Sequence, residues 1–240
     1  GRIVGYEMLM RWHHATLGQV SPAYFVPLAE RHGLIARLGA AAIQQSIAFA
    51  AQLRAHGSDV HVAINLSPYQ LGDADNLALL CDACRKHGVS PRQIELEITE
   101  SALLDNPEAA REAILGLKAK GFAIALDDFG TGYSALAYLR ELPLDKVKID
   151  RSFVMDVVSD ERAAALLRGV VSLCHGLGMR TVAEGVETVG QRDFLVTQGV
   201  DELQGFLFHR PQPVQALLAA LDGQARALRS SPRGNGPLSG

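Results

Sequence analysis

The sequence predicts an α/β fold, specifically a TIM-like (β/α)8 barrel whose first, N-terminal strand is absent from this chain. Strand-like and helix-like segments alternate along almost the whole chain, which indicates a mostly parallel sheet with helices outside it. The strand-like segments are short and carry successive apolar residues, as in strands that are buried on both faces. Several of them end in a polar residue, and these terminal residues are Asn65, Glu97, Asp127, Asp128, Lys148 and Glu184.

Seven segments have the character of buried strands, and Gly or Pro separates most of them from the helices. In chain order, these strand candidates are residues 3–11, 60–66, 93–99, 122–126, Lys146–Ile149, Arg180–Ala183 and 200–203. Apolar spacing of about 3.6 residues favours helices between them, including residues 41–53, 107–120, 161–177 and 188–198. Asn106 followed by Pro107 is typical of a helix N-terminus, and Ser21 followed by Pro22 begins the first helix in the same way.

The ends of the chain set the predicted domain boundaries. A closed barrel of this type needs eight strands, and we expect the missing one ahead of Gly1. Gly1 and Arg2 resemble the turn of a hairpin whose first strand has been removed. The barrel domain is predicted to occupy residues 1–222, and residues 223–240, which contain SSPRGNGPLSG, are predicted to be a disordered tail.

Composition restricts the class of protein. The chain has 240 residues, 48% of them hydrophobic and 20% charged, with a formal net charge of -3. This is typical of a globular domain, and the near-neutral charge gives no electrostatic case for a nucleic-acid polymer as partner. No apolar run approaches the roughly 18 residues that cross a bilayer, and there is no signal-peptide pattern. The three cysteines fit a reducing, cytoplasmic location, although a region outside this chain could anchor the full-length protein to a membrane.

Two smaller motifs have competing interpretations. Cys81 and Cys84 form a C-x-x-C pair that could be a redox pair or half of a zinc site. The pair falls within a helical pattern and lacks a second ligand pair, so ordinary helix cysteines are favoured. His13 and His14 follow Trp12 at the end of the first strand candidate. They could bind a metal, but a solvent-exposed loop is the favoured interpretation.

The polar strand ends predict a metal site. The carboxyl ends of parallel barrel strands meet at one face, which is where such barrels have their active sites. Two like charges about 4 Å apart repel by roughly 1 kcal/mol in water and by about 4 kcal/mol at an effective dielectric constant near 20. A divalent cation relieves this repulsion, and oxygen ligands with only scattered histidines favour Mg²⁺ or Mn²⁺ over zinc.

The motif DDFGTG follows an apolar strand. Asp127 and Asp128 are adjacent acids that point in different directions, so one can bridge two metals while the other binds one. Gly130 and Gly132 permit the tight backbone of a loop that closes over a ligand. An acidic turn is the competing interpretation, because Asp and Gly are common in turns.

The motif ELEITE is the second acidic strand end. A period of two turns Glu95 and Glu97 toward the barrel interior and the intervening leucine and isoleucine toward the helices. An interior carboxylate must be paired, protonated or bound to a metal. Glu97 is nearer the carboxyl end of the strand and is the better ligand, Glu95 can be structural, and Glu100 is placed to brace a loop.

Polar residues on the remaining strands extend the set. Glu7 lies among apolar residues of the first strand candidate, and Arg11, on the same side, carries a guanidinium that suits a phosphate. Asn65 supplies a neutral amide oxygen. Lys148 is either an ion-pair partner or a group that orients a water or stabilises phosphate charge. Asp150, Glu184, Glu187 and Gln204 occupy further strand ends. Taken together, these residues indicate a metal-dependent phosphoesterase.

These residues lie in motifs that resemble one known family. ELEITE, LDDFGTGYS, KIDRSF, VAEGVET and QGFLF occur in this order, and through them the chain resembles the EAL-domain family of cyclic di-GMP phosphodiesterases over about residues 1–221. The resemblance implies a barrel, usually dimeric, that binds cyclic di-GMP across its strand ends with two Mg²⁺ or Mn²⁺ ions. It also implies cleavage of one phosphodiester bond to give linear pGpG, and an upstream sensor or cyclase-like domain in the full protein.

The resemblance implies a role for each matching position. One metal would be held by Glu7, Asn65, Glu97 and Asp127. Asp127 would bridge to the second metal, which Asp128 and Glu184 also bind, and Glu184 is in addition a candidate base. Lys148 would position the activated water, which attacks phosphorus in line and expels the ribose 3′ oxygen.

The remaining matching positions would act on the substrate or support the site. Gln204 would act on the substrate through a metal-bound water, and Arg11 would hold a substrate phosphate. Glu100 would brace the loop at residues 128–134, which includes Gly130 and Gly132 and couples the dimer interface to the site. Support from close by would come from Asp150 and Glu187.

The chain departs from the family pattern in two places. The signature tripeptide reads Glu7-Met8-Leu9 instead of Glu-Ala-Leu, but Met8 only neighbours a ligand, so we expect activity to survive. The absent first strand, which in the family carries a Tyr-Gln-Pro stretch, would leave an unpaired edge that threatens folding and substrate contacts. The alternative function is an inactive receptor for cyclic di-GMP or a protein-interaction module. Such members typically lose metal ligands or the lysine, and every one of these positions is filled here.

Overall fold

The computed structural model describes residues 1–131 and 139–230, with side chains at 104, 105 and 224–230 left out of the description. Nine strands lie within these residues: β1 Gly5–Met8, β2 Trp12–His14, β3 Gly18–Val20, β4 His61–Leu66, β5 Ile94–Thr99, β6 Ala123–Phe129, β7 Lys146–Ile149, β8 Arg180–Ala183 and β9 Glu202–Leu203. Seven of them form a parallel sheet in the order β1-β4-β5-β6-β7-β8-β9, which curls into an incomplete barrel. The predicted α/β barrel fold is therefore confirmed.

Helices cover the outside of the curled sheet. Their bounds are α1 Pro22–Arg31, α2 Ile35–Ala55, α3 Pro68–Leu71, α4 Ala74–His87, α5 Glu100–Asp105, α6 Pro107–Ala119, α7 Arg151–Val154, α8 Glu161–Gly176, α9 Val189–Thr197 and α10 Val214–Ser230, with a 3₁₀ turn at Pro91–Gln93. The predicted cap of α6 is present, because the Asn106 side chain accepts a hydrogen bond from the Ala109 N–H. Among the described residues, no helix is both long enough and apolar enough to cross a bilayer.

The sheet separates an apolar layer from a polar interior. Leu96 and Ile98 on β5 are fully buried in the core between sheet and helices. Because side chains alternate along a strand, Glu95 and Glu97 then face the inside of the barrel, as predicted. The same alternation on β7 places Val147 and Ile149 in the core and turns Lys146 and Lys148 inward.

The first strand is shorter than predicted. The sequence pattern predicts a strand over residues 3–11, but β1 ends at Met8, and Trp12–His14 pairs antiparallel with Gly18–Val20 in a separate hairpin. Gly18, with φ +69°, and the His14 ring, whose Nδ1 accepts hydrogen bonds from the Thr16 and Leu17 N–H groups, form its turn. The expectation of a loop at His13 and His14 was therefore wrong.

The two ends of the described chain bear on the predicted boundaries. The sheet begins at β1 and ends at β9, with β1 hydrogen-bonded to β4 alone among the described strands, which is consistent with a missing strand. At the other end, α10 continues to Ser230, beyond the boundary predicted at 222, because Gln, Ala, Arg and Leu favour helix there. Residues 231–240 lie outside the described residues, so the tail stays a prediction.

Candidate active site

Lys148 lies at the centre of the polar strand ends. Its ammonium Nζ lies 2.9 Å from Asp127 Oδ1, 2.9 Å from Glu184 Oε1, 3.0 Å from Glu97 Oε1 and 3.8 Å from Glu7 Oε2. The lysine side chain is only 2% exposed. Strand β7 thus projects one buried cation into a ring of carboxylates from β1, β5, β6 and the end of β8.

Glu7 is held by both of its neighbours in the barrel. Asn65 at the end of β4 donates a hydrogen bond to Glu7 Oε1 at 2.8 Å. Gln204, directly after β9, donates one to Glu7 Oε2 at 2.7 Å. The second contact joins the two outer strands of the described sheet through side chains. Glu7, Asn65 and Gln204 are therefore brought together as the sequence predicts.

Burial and neighbouring charges shift the pKa values of the central groups in different directions. Burial alone would lower the pKa of Lys148, but the surrounding carboxylates, Glu97 and Glu7 foremost, raise this pKa well above its usual value. Burial alone would raise the pKa of Glu7, but Lys148 and the amides of Asn65 and Gln204 lower it. Lysine and Glu7 therefore remain ionised together at neutral pH.

Glu97 and Glu184 behave in the opposite way. Burial raises the pKa of Glu97 well above its usual range, and the charges of Glu7 and Asp127 add to this effect. Burial likewise raises the pKa of Glu184 to about 7, with a further contribution from Asp127. One lysine thus does not compensate all of the carboxylates around it, and the site favours an additional cation or proton.

A bulge in β6 aims two adjacent acids at the same place. The register of β6 against β7 shifts between Leu126 and Phe129, both of which are buried in the core. Within the bulge, Asp128 has φ +55°, in the left-handed region that Asp tolerates better than most residues. Carboxylate oxygens of Asp127, Asp128 and Glu184 consequently lie within 4.8 Å of one another. The acids belong to the strand itself, which runs past its predicted end at residue 126.

The donors in this region fit divalent cations. Glu97 Oε2 is buried and, within the described part of the chain, has no hydrogen-bond partner, so it is available as a ligand. The clustered oxygens of Asp127, Asp128 and Glu184 are hard donors of the kind that Mg²⁺ and Mn²⁺ prefer. The residues present therefore fit the metal ions that the sequence predicts.

The neighbouring loop is tied to the site through Glu100 and Gly130. Glu100, the first residue of α5, is 3% exposed, and its Oε2 accepts a hydrogen bond from the Gly130 N–H at 3.2 Å. Gly130 has φ +96°, and a Cβ atom there would lie 2.2 Å from the Phe153 ring. Both the positive φ and the lack of space next to the Phe153 ring therefore exclude a side chain at this position. Gly132 lies outside the described residues.

Two further acids flank the site. Asp150 caps α7, since its Oδ1 accepts a hydrogen bond from the Ser152 N–H at 2.9 Å. Burial raises the pKa of Asp128, and Asp127 and Asp150 raise it further through their charge. Glu187 pairs with Arg151 at 3.1 Å.

Three of the residues that the sequence singles out are not gathered into the central cluster. Arg11 lies beyond the end of β1, its side chain is exposed, and its Nη1 donates to the neighbouring Met10 carbonyl, so the strand alternation that aligned it with Glu7 does not reach it. Cys81 and Cys84 lie in α4 as free thiols. Burial raises the pKa of Cys84 to about 11, which disfavours the thiolate that a redox pair or zinc site requires.

A second polar layer, which was not predicted from the sequence, lies beneath the first. Lys146 Nζ lies 2.7 Å from Glu95 Oε2 and 2.8 Å from Glu202 Oε2, and the lysine is fully buried. His61 Nε2 lies 3.5 Å from the same ammonium. The sequence carried a signal for this layer. The KVK segment of β7 and the ELE segment of β5 each place two inward-facing charges two residues apart.

The chain is similar to a known domain family and to several curated proteins. A family model described as EAL domain matches residues 1–211. A Pseudomonas aeruginosa protein named bifunctional diguanylate cyclase/cyclic di-GMP phosphodiesterase MucR is 38% identical over 222 residues, covering 92% of this chain and 32% of that protein. Cyclic di-GMP phosphodiesterase RocR, from the same organism, is 35% identical, covering 93% of this chain and 57% of RocR.

A solved structure titled PaMucR phosphodiesterase, c-di-GMP complex, is similar to this chain with a TM-score of 0.84 at 38% identity, covering 90% of this chain and 88% of that one. An uncharacterized protein of Azorhizobium caulinodans is 47% identical over 218 residues, covering 89% of this chain and 30% of that protein. The chain thus spans about a third of the length of several curated relatives.

Proposed function

The chain belongs to the EAL domain family, and from that premise we propose that it hydrolyses cyclic di-GMP to linear pGpG with the help of two divalent cations, Mg²⁺ or Mn²⁺. Relatives named cyclic di-GMP phosphodiesterases support the substrate. The observation that carries the proposal is the buried set of carboxylates around Lys148, whose negative charge one lysine does not balance.

We propose two groups of residues as ligands of the two cations. Glu7, Asn65, Glu97 and Asp127 would hold one ion, and Asp127, Asp128 and Glu184 the other. When bound, the two ions would neutralise phosphate charge and make a water nucleophilic at neutral pH. The clustering of Asp127, Asp128 and Glu184 supports the second group.

The protein groups have complementary roles in the proposed reaction. Lys148 stays protonated, so it donates hydrogen bonds to the attacking water or to a phosphate oxygen and does not act as a base. Glu184 is the candidate base that would accept the proton of that water. A new bond forms from the water oxygen to phosphorus while the bond from phosphorus to the ribose 3′ oxygen breaks, and that oxygen takes up a proton.

Groups around the central cluster would bind or support the substrate. Arg11, exposed beyond β1, would hold a substrate phosphate. Gln204, which donates a hydrogen bond to Glu7, would act on the substrate through a metal-bound water. Glu100 would hold the Gly130 backbone, while Asp150 and Glu187 fix the segment after β7 and β8.

The wider setting of the domain belongs to the same proposal. We propose a homodimer, tethered in the full protein to an upstream sensor or cyclase-like domain, and a cytoplasmic location. The share of its relatives that this chain spans supports additional domains, since MucR is named as a bifunctional enzyme and this chain covers 32% of it. The free cysteines fit a reducing compartment.

A turnover assay tests the proposal. The purified chain is incubated with cyclic di-GMP and Mg²⁺ or Mn²⁺, and the linear product is followed by chromatography. Metal-dependent product that disappears with EDTA and in Asp127→Asn supports the hydrolase. Folded protein that binds cyclic di-GMP in a titration without forming product would instead identify a receptor.

A further inference from the structure

The lower polar layer lies directly beneath the proposed active site and takes no part in the proposed chemistry. Its ion pairs join Glu95 on β5, Lys146 on β7 and Glu202 on β9, which are alternate strands of the barrel. His61 on β4 lies beside them, 3.5 Å from the lysine ammonium and 3.8 Å from Glu95 Oε1. Barrel interiors are filled in this way, by layers of side chains drawn from alternate strands. Here the layer is ionic where an apolar layer is usual, and its lysine is 0% exposed.

Each member of the lower layer lies two residues before a residue of the active site. Glu95 precedes Glu97, Lys146 precedes Lys148, and Glu202 precedes Gln204, a group that donates to Glu7 at 2.7 Å. The Lys146–Glu95 contact of 2.7 Å and the Lys148–Glu97 contact of 3.0 Å therefore join β5 and β7 at successive heights. Any shift of the lower pair along the strand axis moves the upper pair with it.

The intervening strand leaves room for these contacts. β6 lies between β5 and β7, and its inward residue Ala125 is in register with Glu97 on one side and Lys146 on the other. Ala125 is fully buried. A larger side chain at this position would crowd Glu97 and Lys146, which flank it on the neighbouring strands.

Strand β9 is held by both backbone and side-chain contacts. It has two residues and pairs with β8 through Val182 and Ala183. Lys146 bonds its Glu202 at 2.8 Å, and Arg180 bonds the other oxygen of Glu202 at 3.0 Å. The Gln204 N–H also donates a hydrogen bond to the Ala183 carbonyl at 2.9 Å, so the side-chain contacts of Glu202 act together with the backbone in placing Gln204.

We infer that Lys146 is a positioning residue: by holding Glu95 and Glu202, it sets the height of Glu97, Lys148 and Gln204 relative to one another. Replacing a buried ion pair with apolar residues is often neutral for stability, so a role in stability alone does not account for this layer. Registry is the best-attested use of such pairs. The inference rests on the proposed metal-dependent function, because its consequence is a site preorganised for cations.

The test distinguishes a positioning role of Lys146 from a role in the stability of the fold. In Lys146→Met/Glu95→Leu, the ion pair is replaced by apolar side chains, and Glu202 keeps Arg180 as partner. The matched control, Lys118→Met/Asp145→Asn, removes an ion pair from the outside of the barrel next to the same strand. Mn²⁺ binding is measured by calorimetry and turnover at saturating Mn²⁺, with thermal unfolding in EDTA as the measure of fold.

We expect the inner double variant to unfold within a few degrees of the wild type and to bind Mn²⁺ about tenfold more weakly, as is common when groups behind metal ligands are changed. The outer variant should bind Mn²⁺ like the wild type. Unchanged Mn²⁺ affinity in a folded inner variant would overturn the positioning role. Should that variant not fold, the single change Ala125→Val, which crowds the same contacts, is measured with the same expected weakening and the same overturning result.

The controls also separate this inference from the proposed function. A wild-type chain that binds Mn²⁺ but does not cleave cyclic di-GMP would contradict the hydrolase and leave the affinity comparison decisive. A wild-type chain that cleaves cyclic di-GMP, together with an inner variant of equal Mn²⁺ affinity, would contradict the positioning role alone. A wild-type chain that binds no Mn²⁺ overturns both.

Discussion

Lys148 Nζ and Glu97 Oε1 lie 3.0 Å apart, with both side chains only 2% exposed. Lys148 is charged, whereas Glu97 favours its neutral form in the absence of further cations. The reason is that burial and the charges of Glu7 and Asp127 raise the pKa of Glu97. A buried ammonium that is shared among several carboxylates leaves negative charge uncompensated. The centre of the barrel is therefore built to gain cations.

Removing the lysine should make the metal-free protein fragile. In Lys148→Met, the ionised Glu7 and the buried acids around it lose their shared cation, and we expect the free energy of unfolding in EDTA to fall by about 3–5 kcal/mol. Mn²⁺ should restore part of this loss, and turnover should be lost. Chemical denaturation with and without Mn²⁺ measures both effects.

The exposed Lys120→Met variant is the matched control for this change, and it should shift the free energy of unfolding by no more than about 0.5 kcal/mol. Equal stability of Lys148→Met and the control in EDTA would contradict the charge balance inferred for the site.

Two substitutions of Asp128 distinguish the effect of its backbone conformation from the effect of its charge. Asp128→Asn keeps a residue that tolerates φ +55°, so the protein should stay as stable as the wild type but bind Mn²⁺ at least tenfold more weakly. Asp128→Val should in addition lower the free energy of unfolding by about 1–3 kcal/mol, because a β-branched residue is strained there. Thermal unfolding and Mn²⁺ titration of both variants are the measurements. Equal stability of the Asn and Val variants would argue against a strained bulge.

Gly130 should tolerate no side chain. In Gly130→Ala, the methyl group meets the Phe153 ring as well as an unfavourable φ of +96°, and we expect a loss of turnover and of stability. Gly178→Ala is the matched control, since Gly178 has φ +78° but nothing within 4 Å of its Cβ position. The control should cost about 1–2 kcal/mol, because alanine is strained at a positive φ, and leave turnover unchanged. If both variants behaved alike, the contact with Phe153 would have no part in holding the loop.

Asp201 should contribute to the acid stability of the fold. Burial alone would raise the pKa of Asp201, but the Thr181 N–H at 2.7 Å, the His175 ring at 3.0 Å and the Thr181 hydroxyl at 3.0 Å lower it. Because the pKa is lower in the folded state, this contribution is present above the pKa of the unfolded state and disappears as the pH falls through the pKa of the folded state.

The Asp201→Asn variant tests this dependence. It should be less stable than the wild type at neutral pH, and the difference should shrink toward acidic pH, below about pH 4. The control Asp193→Asn alters a side chain that is 62% exposed, and it should change the free energy of unfolding by no more than about 0.5 kcal/mol at neutral pH. Denaturation curves across this pH range decide the matter, and a constant difference for Asp201→Asn would contradict the linkage.

The chain sequence by itself determined the class of fold and the inventory of the site. Alternating strand and helix patterns predict a parallel barrel, and the strands at Lys146–Ile149 and Arg180–Ala183 lie where the pattern placed them. The period of two in ELEITE was enough to turn Glu97 inward, because alternation is a local property of extended backbone. The sequence pattern also identified the residues of the central cluster and its neighbours: Glu7, Asn65, Glu97, Asp127, Asp128, Lys148, Glu184 and Gln204.

Only the tertiary structure decided how these groups meet. The bulge that brings Asp127 and Asp128 to one place depends on the pairing of β6 with β7, which no local pattern encodes. The end of β1 at Met8, which leaves Arg11 outside the central cluster, follows from the competing hairpin at Trp12–His14. The layer of Lys146, Glu95 and Glu202 joins residues that are far apart in the chain. Its ion pairs form because curling the sheet brings alternate strands face to face, and that closure is a long-range contact.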